Sequence, residues 1–157
     1  MREELERRLR GKVAIVGVGN PMWGDDGAGP ALILRLAGKV PALLVDGGEA
    51  PESYWGTIAA YRPEAVLVVD AVDWGGEPGS VAILEEVEEK GPALSTHRIS
   101  LNLLLNLLRT QTGADAFALG IQPKVLVFQR DMSAEVQKTV ELLGDLFMDI
   151  LVGGARC

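Results

Sequence analysis

The sequence predicts an α/β protein in which a largely parallel sheet packs against helices. Short apolar segments of strand length alternate along the chain with segments that have helical periodicity. Three of the apolar segments end in polar or glycine-rich turns, as strands do where they lead into crossover helices. This alternation favours a parallel sheet over an antiparallel one, because only parallel neighbours need such long connections.

Five apolar segments have the length and composition of strands. They are residues 12–18, 42–45, 65–69, 80–84 and 117–121. The first, KVAIVGV, and the third, AVLVV, are rich in β-branched residues, which indicates strands buried on both faces. Residues 125–128 are a candidate sixth strand or edge strand.

Helical segments flank and separate these strands. They are residues 1–10, 28–37, 51–61, 101–108 and a last helix that ends near residue 152. Pro30 falls in the first turn of the second helix, where proline is tolerated, and Gly38 follows as a stop. The third helix must end before Pro63. Asp131 and Ser133 are candidate caps of the last helix.

The composition indicates one globular domain over residues 1–157. Hydrophobic residues make up 48% and charged residues 24%, which argues against a disordered chain. No apolar run approaches the ~20 residues that span a bilayer, and the first ten residues lack the apolar core of a secretory signal. The single cysteine, Cys157, forms no internal disulfide. We therefore expect a cytoplasmic monomer without membrane insertion, and the net charge of −7 argues against a nucleic-acid partner.

Acidic residues follow three of the predicted strands. Asp25 and Asp26 lie in the turn after the first, Asp46 follows the second and Asp70 the third. Ligands of open α/β sheets bind outside the carboxyl ends of the strands. The sequence therefore predicts that the functional site lies at this edge of the sheet.

The glycine-rich turn after the first strand, GVGNPMWGDDGAG, has some likeness to a dinucleotide-binding turn. Two details argue against that function. The third glycine of the motif would fall at Met22, and Asp25 and Asp26 occupy the helix entrance where a pyrophosphate would sit. A plainer interpretation is that Asp26 only caps the helix.

Asp70 and His97 complete the candidate set. A carboxylate that closes a buried strand is costly unless it is hydrogen-bonded, paired or bound to metal, although both Asp70 and Asp73 could simply stabilise a turn. His97 is the only histidine of the chain, and a structural role for it is the plain alternative. One imidazole and two carboxylates suit Zn or Ni, and the same trio without metal could carry out acid–base chemistry.

Together these residues resemble the hydrogenase maturation endopeptidases over nearly the whole chain after Arg10. The branch serving formate hydrogenlyase and related membrane-bound energy-converting hydrogenases is the most similar. Six motifs in order carry the resemblance: Gly17-Val18-Gly19-Asn20, Gly24-Asp25-Asp26-Gly27-Ala28-Gly29, Asp46-Gly47-Gly48, Val68-Val69-Asp70-Ala71, Thr96-His97 and Leu119-Gly120-Ile121-Gln122-Pro123.

The resemblance implies a three-layer sandwich with a twisted, mostly parallel five-stranded sheet between helices. It also implies an endopeptidase that removes the C-terminal extension of a nickel-loaded NiFe hydrogenase large-subunit precursor. Asp26, Asp70 and His97 would be its catalytic and metal-contacting residues, with nickel presented by the substrate and Zn or Cd as substitutes. The attacking water would be activated by the metal or by a carboxylate.

Residues near the cleft would give specificity for the precursor. The candidates are Trp23, Trp74, residues 75–79 and Arg98. Three other functions stay open at this point. They are a nucleotide-binding enzyme with a Rossmann-like fold, a non-enzymatic escort that senses metal and releases the hydrogenase subunit uncut, and a peptidase with another substrate.

Overall fold

The computed structural model describes residues 1–86 and 99–154, and at its centre is a five-stranded sheet. The strands are β1 Val13–Val18, β2 Leu43–Gly48, β3 Ala65–Ala71, β4 Val81–Leu84 and β5 Asp115–Ile121. Their order is β2-β1-β3-β5-β4, and every neighbouring pair is parallel except β4 and β5. The predicted α/β fold is confirmed, with one antiparallel strand at an edge.

Five helices among the described residues pack around the strands, and their bounds differ most from the predicted ones at α3 and α4. They are α1 Arg2–Arg8, α2 Ala28–Leu36, α3 Trp55–Tyr61, α4 Leu101–Thr112 and α5 Ala134–Gly154. The predicted helix over 51–61 begins instead with a 3₁₀ turn at Pro51–Tyr54. α4 runs past residue 108 to Thr112 and ends at Gly113, which adopts the left-handed conformation (φ 70°). No helix in the described ranges is long and apolar enough to cross a membrane.

Each face of the sheet carries its own apolar layer, because alternate strand residues point to opposite sides. Val13 and Ile15 of β1 belong to the layer under α1, α2 and α5, whereas Ala14 and Val16 belong to the layer under α3 and α4. The sheet is thus covered on both faces, as the resemblance implied.

The predicted strand over 125–128 is wrong. This segment belongs to none of the strands in the described part of the chain, and it crosses over the 3₁₀ turn at Gly24–Gly27 that precedes α2. The backbone N–H of Val125 donates to the carboxylate of Asp25 at 2.8 Å, and its carbonyl accepts from the N–H of Asp25 at 2.7 Å. The polar groups that a sheet neighbour would need are therefore used by this turn.

An ionic cluster fastens α1 to the amino edge of the sheet. The guanidinium of Arg8 donates to both carboxylate oxygens of Asp115, at 2.9 and 2.7 Å, and also pairs with Glu85. It lies over the ring of Phe117, 3.8 Å from the centroid. These contacts raise the pKa of Arg8 and hold the pKa of Asp115 below its ordinary value, chiefly through the hydrogen bonds between them.

Gly29 allows α2 to approach the carboxyl ends of two strands. A Cβ at this position would lie 2.5 Å from the carbonyl oxygen of Val69 in β3 and 2.6 Å from that of Val18 in β1. Both neighbours are backbone atoms of central strands and have little freedom to shift. A glycine in the first turn of α2 therefore sets how closely this turn, and the residues before it, lie against β1 and β3.

Gly29→Ala is expected to lower the free energy of unfolding by about 3 kcal/mol, because the added methyl group overpacks this contact. Gly56→Ala is the matched control, since Gly56 lies in α3 and a Cβ there meets nothing within 4 Å. The control should raise the free energy of unfolding by about 0.5–1 kcal/mol, the helix propensity difference. Urea denaturation measures the free energy of unfolding of both variants. Equal values for the two would contradict the close approach of α2 to β1 and β3.

Candidate active site

The turn that follows β1 buries Asp26 completely. Its carboxylate oxygen Oδ2 accepts a hydrogen bond of 2.8 Å from the backbone N–H of Asn20, and its own N–H donates to the carbonyl of Trp23 at 3.2 Å. α2 has Gly27 at its N-cap position and no side-chain cap. The helix-capping interpretation of Asp26 is therefore wrong, because its side chain turns back toward the end of β1.

Gly19 gives Asp26 the space to do so. A Cβ on Gly19 would lie 1.8 Å from the carbonyl oxygen of Asp26, and the backbone of Gly19 has a φ of 138°, which favours glycine. A side chain at position 19 would therefore collide with the backbone of Asp26, which explains why the turn needs glycine there.

Asp70 lies inside β3 rather than after it. Its backbone is in register with Gly120 of β5, the strand continues to Ala71, and only 4% of Asp70 is exposed. A position in the strand excludes the turn interpretation for Asp70. That interpretation holds for Asp73, whose Oδ1 accepts from the N–H of Gly75 at 2.9 Å.

The structure brings Asp26 and Asp70 to the same edge of the sheet. β1 and β3 are adjacent and parallel, with Gly17 in register with Val69, so the turn that carries Asp26 and the end of β3 that carries Asp70 are neighbours. Asp46, the third predicted acidic residue, is exposed at the end of β2, where it accepts from the N–H of Gly48 at 3.2 Å. Asp26 and Asp70, unlike Asp46, are therefore buried at this edge.

His97 and Arg98 lie outside the described residues. Among residues 1–86 and 99–154, no three His, Cys, Asp or Glu side chains form a group that could hold a metal. The first described turn of α4 includes Leu101, which packs in the same apolar layer as Val18 and Val72, and both of these lie at the carboxyl edge. Membership of His97 in the site stays a prediction.

Asp25 has a role that the sequence did not reveal. It is fully buried, and Oδ2 accepts hydrogen bonds from the N–H groups of Lys124 and Val125, both at 2.8 Å. Its carboxylate also accepts from the N–H of Ser133 at 2.7 Å and from the hydroxyl of Ser133 at 2.9 Å. Asp25 thereby ties the loop of residues 122–133 to the turn that carries Asp26.

Ser133 has two roles, because its hydroxyl oxygen also accepts from the N–H of Val136 at 3.3 Å. This contact confirms its predicted role as the cap of α5. The only sequence signal for the role of Asp25 was the adjacency of two aspartates, of which one was sufficient for a cap. The backbone N–H of Asp25 donates to the carbonyl of Val125. One fewer N–H group is therefore available to bind a phosphate at the start of α2.

Gln122 holds the loop that follows β3. Its Oε1 accepts from the N–H groups of Trp74 and Gly76, both at 3.0 Å, and its Nε2 donates to Oδ1 of Asp73 at 2.9 Å. The side chain is buried, with 5% of the residue exposed. The glutamine of the Gly-Ile-Gln-Pro motif therefore fixes the position of Trp74 beside the carboxyl edge.

Gln122→Glu is expected to lower the free energy of unfolding by about 1–3 kcal/mol, because it places a carboxylate against that of Asp73 and loses the donated hydrogen bond. Adding Asp73→Asn should recover most of the loss, since the asparagine amide can donate to the introduced carboxylate and so reverse the direction of the hydrogen bond. A double-mutant cycle by urea denaturation measures the coupling. If the two changes had additive effects on the free energy of unfolding, the direct contact between Gln122 and Asp73 would be contradicted.

Comparison with known proteins assigns the family. A family model described as "Hydrogenase maturation protease" matches residues 34–150. The chain is 39% identical over 128 residues to the hydrogenase 3 maturation protease of Escherichia coli strain K12, covering 79% of this chain and 81% of that protein.

Solved structures agree with this assignment. The crystal structure of the NiFe hydrogenase maturation protease HycI from Thermococcus kodakarensis KOD1 superimposes with a TM-score of 0.84 at 36% identity, covering 94% of this chain and 98% of that one. A crystal structure described as the hydrogenase 3 maturation protease has a TM-score of 0.73 at 34% identity, covering 85% and 87%.

Proposed function

The chain belongs to the hydrogenase maturation proteases, and we propose that it removes the C-terminal extension of a nickel-loaded NiFe hydrogenase large-subunit precursor. Membership of this family makes the chain a peptidase. The observation that carries the proposal is the presence of two buried carboxylates, Asp26 and Asp70, at the carboxyl edge of adjacent parallel strands. The position of the chain in the formate hydrogenlyase branch is part of the same proposal.

We assign Asp26, Asp70 and His97 as the catalytic and metal-contacting residues. Burial of a carboxylate costs free energy, and Asp26 and Asp70 are two such groups at the edge of the sheet where ligands of parallel strands bind. Carboxylate oxygens and an imidazole nitrogen are suitable ligands for Ni²⁺ and for Zn²⁺, and Cd²⁺ is a further substitute. The nickel belongs to the precursor and is therefore part of the substrate.

The charge of the site accounts for a requirement for metal in the substrate. Asp26 and Asp70 would repel each other if both were ionised, and a cation bound by both carboxylates would relieve that repulsion. A precursor that carries nickel is therefore held more tightly than one without it. The metal supplies Lewis acidity, and a carboxylate is available to accept the proton of the water that attacks the scissile carbonyl.

Hydrolysis then adds that water across the peptide bond. The new carboxyl group stays with the mature subunit, and the released extension leaves as an amine after it takes up a proton. We place this reaction in the cytoplasm and assign it to a monomer. The loop of residues 75–79 with Trp74, together with Trp23 and Arg98, is the proposed source of specificity for the precursor.

The test compares nickel-loaded with nickel-free precursor, each incubated with the chain and read by mass spectrometry. We expect the mass to fall by that of the extension in the loaded sample alone. Tight binding with an unchanged mass would support an escort instead. A rise in melting temperature with NAD or adenine nucleotides, but not with Ni²⁺, Zn²⁺ or Cd²⁺, would support a nucleotide-binding enzyme.

A further inference from the structure

Exposed apolar side chains gather beside Asp26, where the turn after β1 meets the loop of residues 122–133. Met22, Val127 and Phe128 are 50%, 52% and 48% exposed. The ring of Trp23 is partly buried, and its centroid lies 5.3 Å from that of Phe128. We call these four side chains the apolar platform.

The backbone holds the two halves of the apolar platform together. The N–H of Gln129 donates to the carbonyl of Met22 at 2.7 Å, and Trp23 forms a parallel bridge with Arg130. Gln129 adopts a positive φ of 60°, a costly conformation for a residue with a side chain. The carboxylate of Asp25 also holds this loop, through hydrogen bonds from the N–H groups of Lys124 and Val125. The platform is preformed, so a partner that binds it loses little free energy in ordering the loop.

The apolar platform is also joined through the backbone to Asp26, one of the proposed catalytic residues. Trp23 is three positions before Asp26, and its carbonyl accepts a hydrogen bond from the N–H of Asp26 at 3.2 Å. The apolar platform and Asp26 are thus carried by the same turn, and a precursor bound at Asp26 would lie close to it. Neither Met22 nor the pair Val127 and Phe128 was predicted as a binding residue from the sequence.

We propose that the apolar platform docks an apolar segment of the hydrogenase large-subunit precursor next to its cleavage site. The inference rests on the proposed function. Its occupant is the precursor rather than a second copy of this chain for two reasons. The platform adjoins Asp26, and two copies would each bring a net charge of −7 to the contact.

The test uses Phe128→Ser and Val127→Ser in the full chain, and the probe is the C-terminally extended large-subunit precursor from the same organism. Leu142→Ser is the matched control, since Leu142 is 57% exposed but lies on α5. Phe128→Ser should raise KM for the nickel-loaded precursor about 10-fold or more, with kcat within about 2-fold of the wild type, because exposed aromatic anchors dominate many interfaces. Val127→Ser should act in the same direction and preserves the contact between Trp23 and Phe128.

Calorimetry with the nickel-free precursor separates docking from cleavage. Both platform variants should lose affinity by the same factors as their KM values rise, and Leu142→Ser should match the wild type. Unchanged affinity and KM in both variants would overturn the platform while the proposed function stands. If the wild type binds but does not cut, the proposed function fails and the binding series still decides the platform.

Light scattering tests whether the apolar platform instead joins two copies of this chain. We expect the wild type and Phe128→Ser to have the mass of one chain. A wild-type dimer that Phe128→Ser dissociates, with unchanged affinity for the precursor, would identify the apolar platform as a self-association surface and overturn the inference.

Discussion

Asp70→Asn is expected to leave the nickel-loaded precursor uncut under conditions in which the wild type processes it completely. The amide keeps the shape of the carboxylate but removes the charge that attracts a cation and accepts a proton. Loss of a group that only orients a metal ligand costs roughly 10–100-fold in activity. If Asp70 is a ligand, as proposed, its loss should therefore lower kcat/KM by more than about 100-fold, and Asp26→Asn should do the same. The initial rate of the mass change measures both.

Asp145→Asn is the control for these substitutions. Asp145 is exposed on α5, where it forms a surface ion pair of 3.8 Å with Arg35, so its loss should change processing less than 2-fold. His97→Gln extends the series to the third proposed ligand. The assignment would be wrong if the variants have the wild-type circular dichroism spectrum and still process the precursor at a normal rate.

Asp25→Ala is expected to lower the free energy of unfolding by about 4–5 kcal/mol. Its carboxylate accepts hydrogen bonds from three backbone N–H groups and one hydroxyl, of Lys124, Val125 and Ser133. Alanine removes this fully buried acceptor and leaves four partly buried donors without it, and such changes are among the most costly single substitutions. Urea denaturation, with the midpoint and slope fitted together, measures the loss.

Two further variants test whether the loss of stability in Asp25→Ala comes from the hydrogen bonds of its carboxylate. Asp131→Ala removes an exposed carboxylate from the same loop and should change stability by less than about 0.5 kcal/mol. Ser133→Ala removes one of the four donors and the cap of α5, and should cost about 1–2 kcal/mol. A loss below about 1 kcal/mol in Asp25→Ala would show that this carboxylate does not hold the loop.

The fold could be predicted where local sequence decides the structure. The β-branched runs became β1 and β3, and the proline before β3 ended the helix as expected. Residues 125–128 have the composition of a strand, and nothing local distinguishes them from one. Their conformation depends on the carboxylate of Asp25, about a hundred positions earlier, and a contact that distant leaves no periodic trace in the sequence.

The same distinction applies to the candidate site. The rule that ligands bind at the carboxyl ends of parallel strands placed Asp26 and Asp70 at one edge, and the structure confirms that placement. The different roles of Asp25 and Asp26 could not be predicted. The two side chains are chemically identical, and only the folded turn gives them different partners. The role of Gln122 was likewise hidden, since its partners come from the loop after β3.

The contact between Asp25 and Ser133 spans 108 positions of the chain. Closure of so long a loop is entropically expensive, and topologies with many such contacts fold slowly. A polypeptide still attached to the ribosome, before residue 133 has emerged, lacks the partners that organise the turn around Asp26. We expect hydrolytic competence to arise only after residue 133 has been synthesised, so that translation products truncated before this residue should not cleave the precursor.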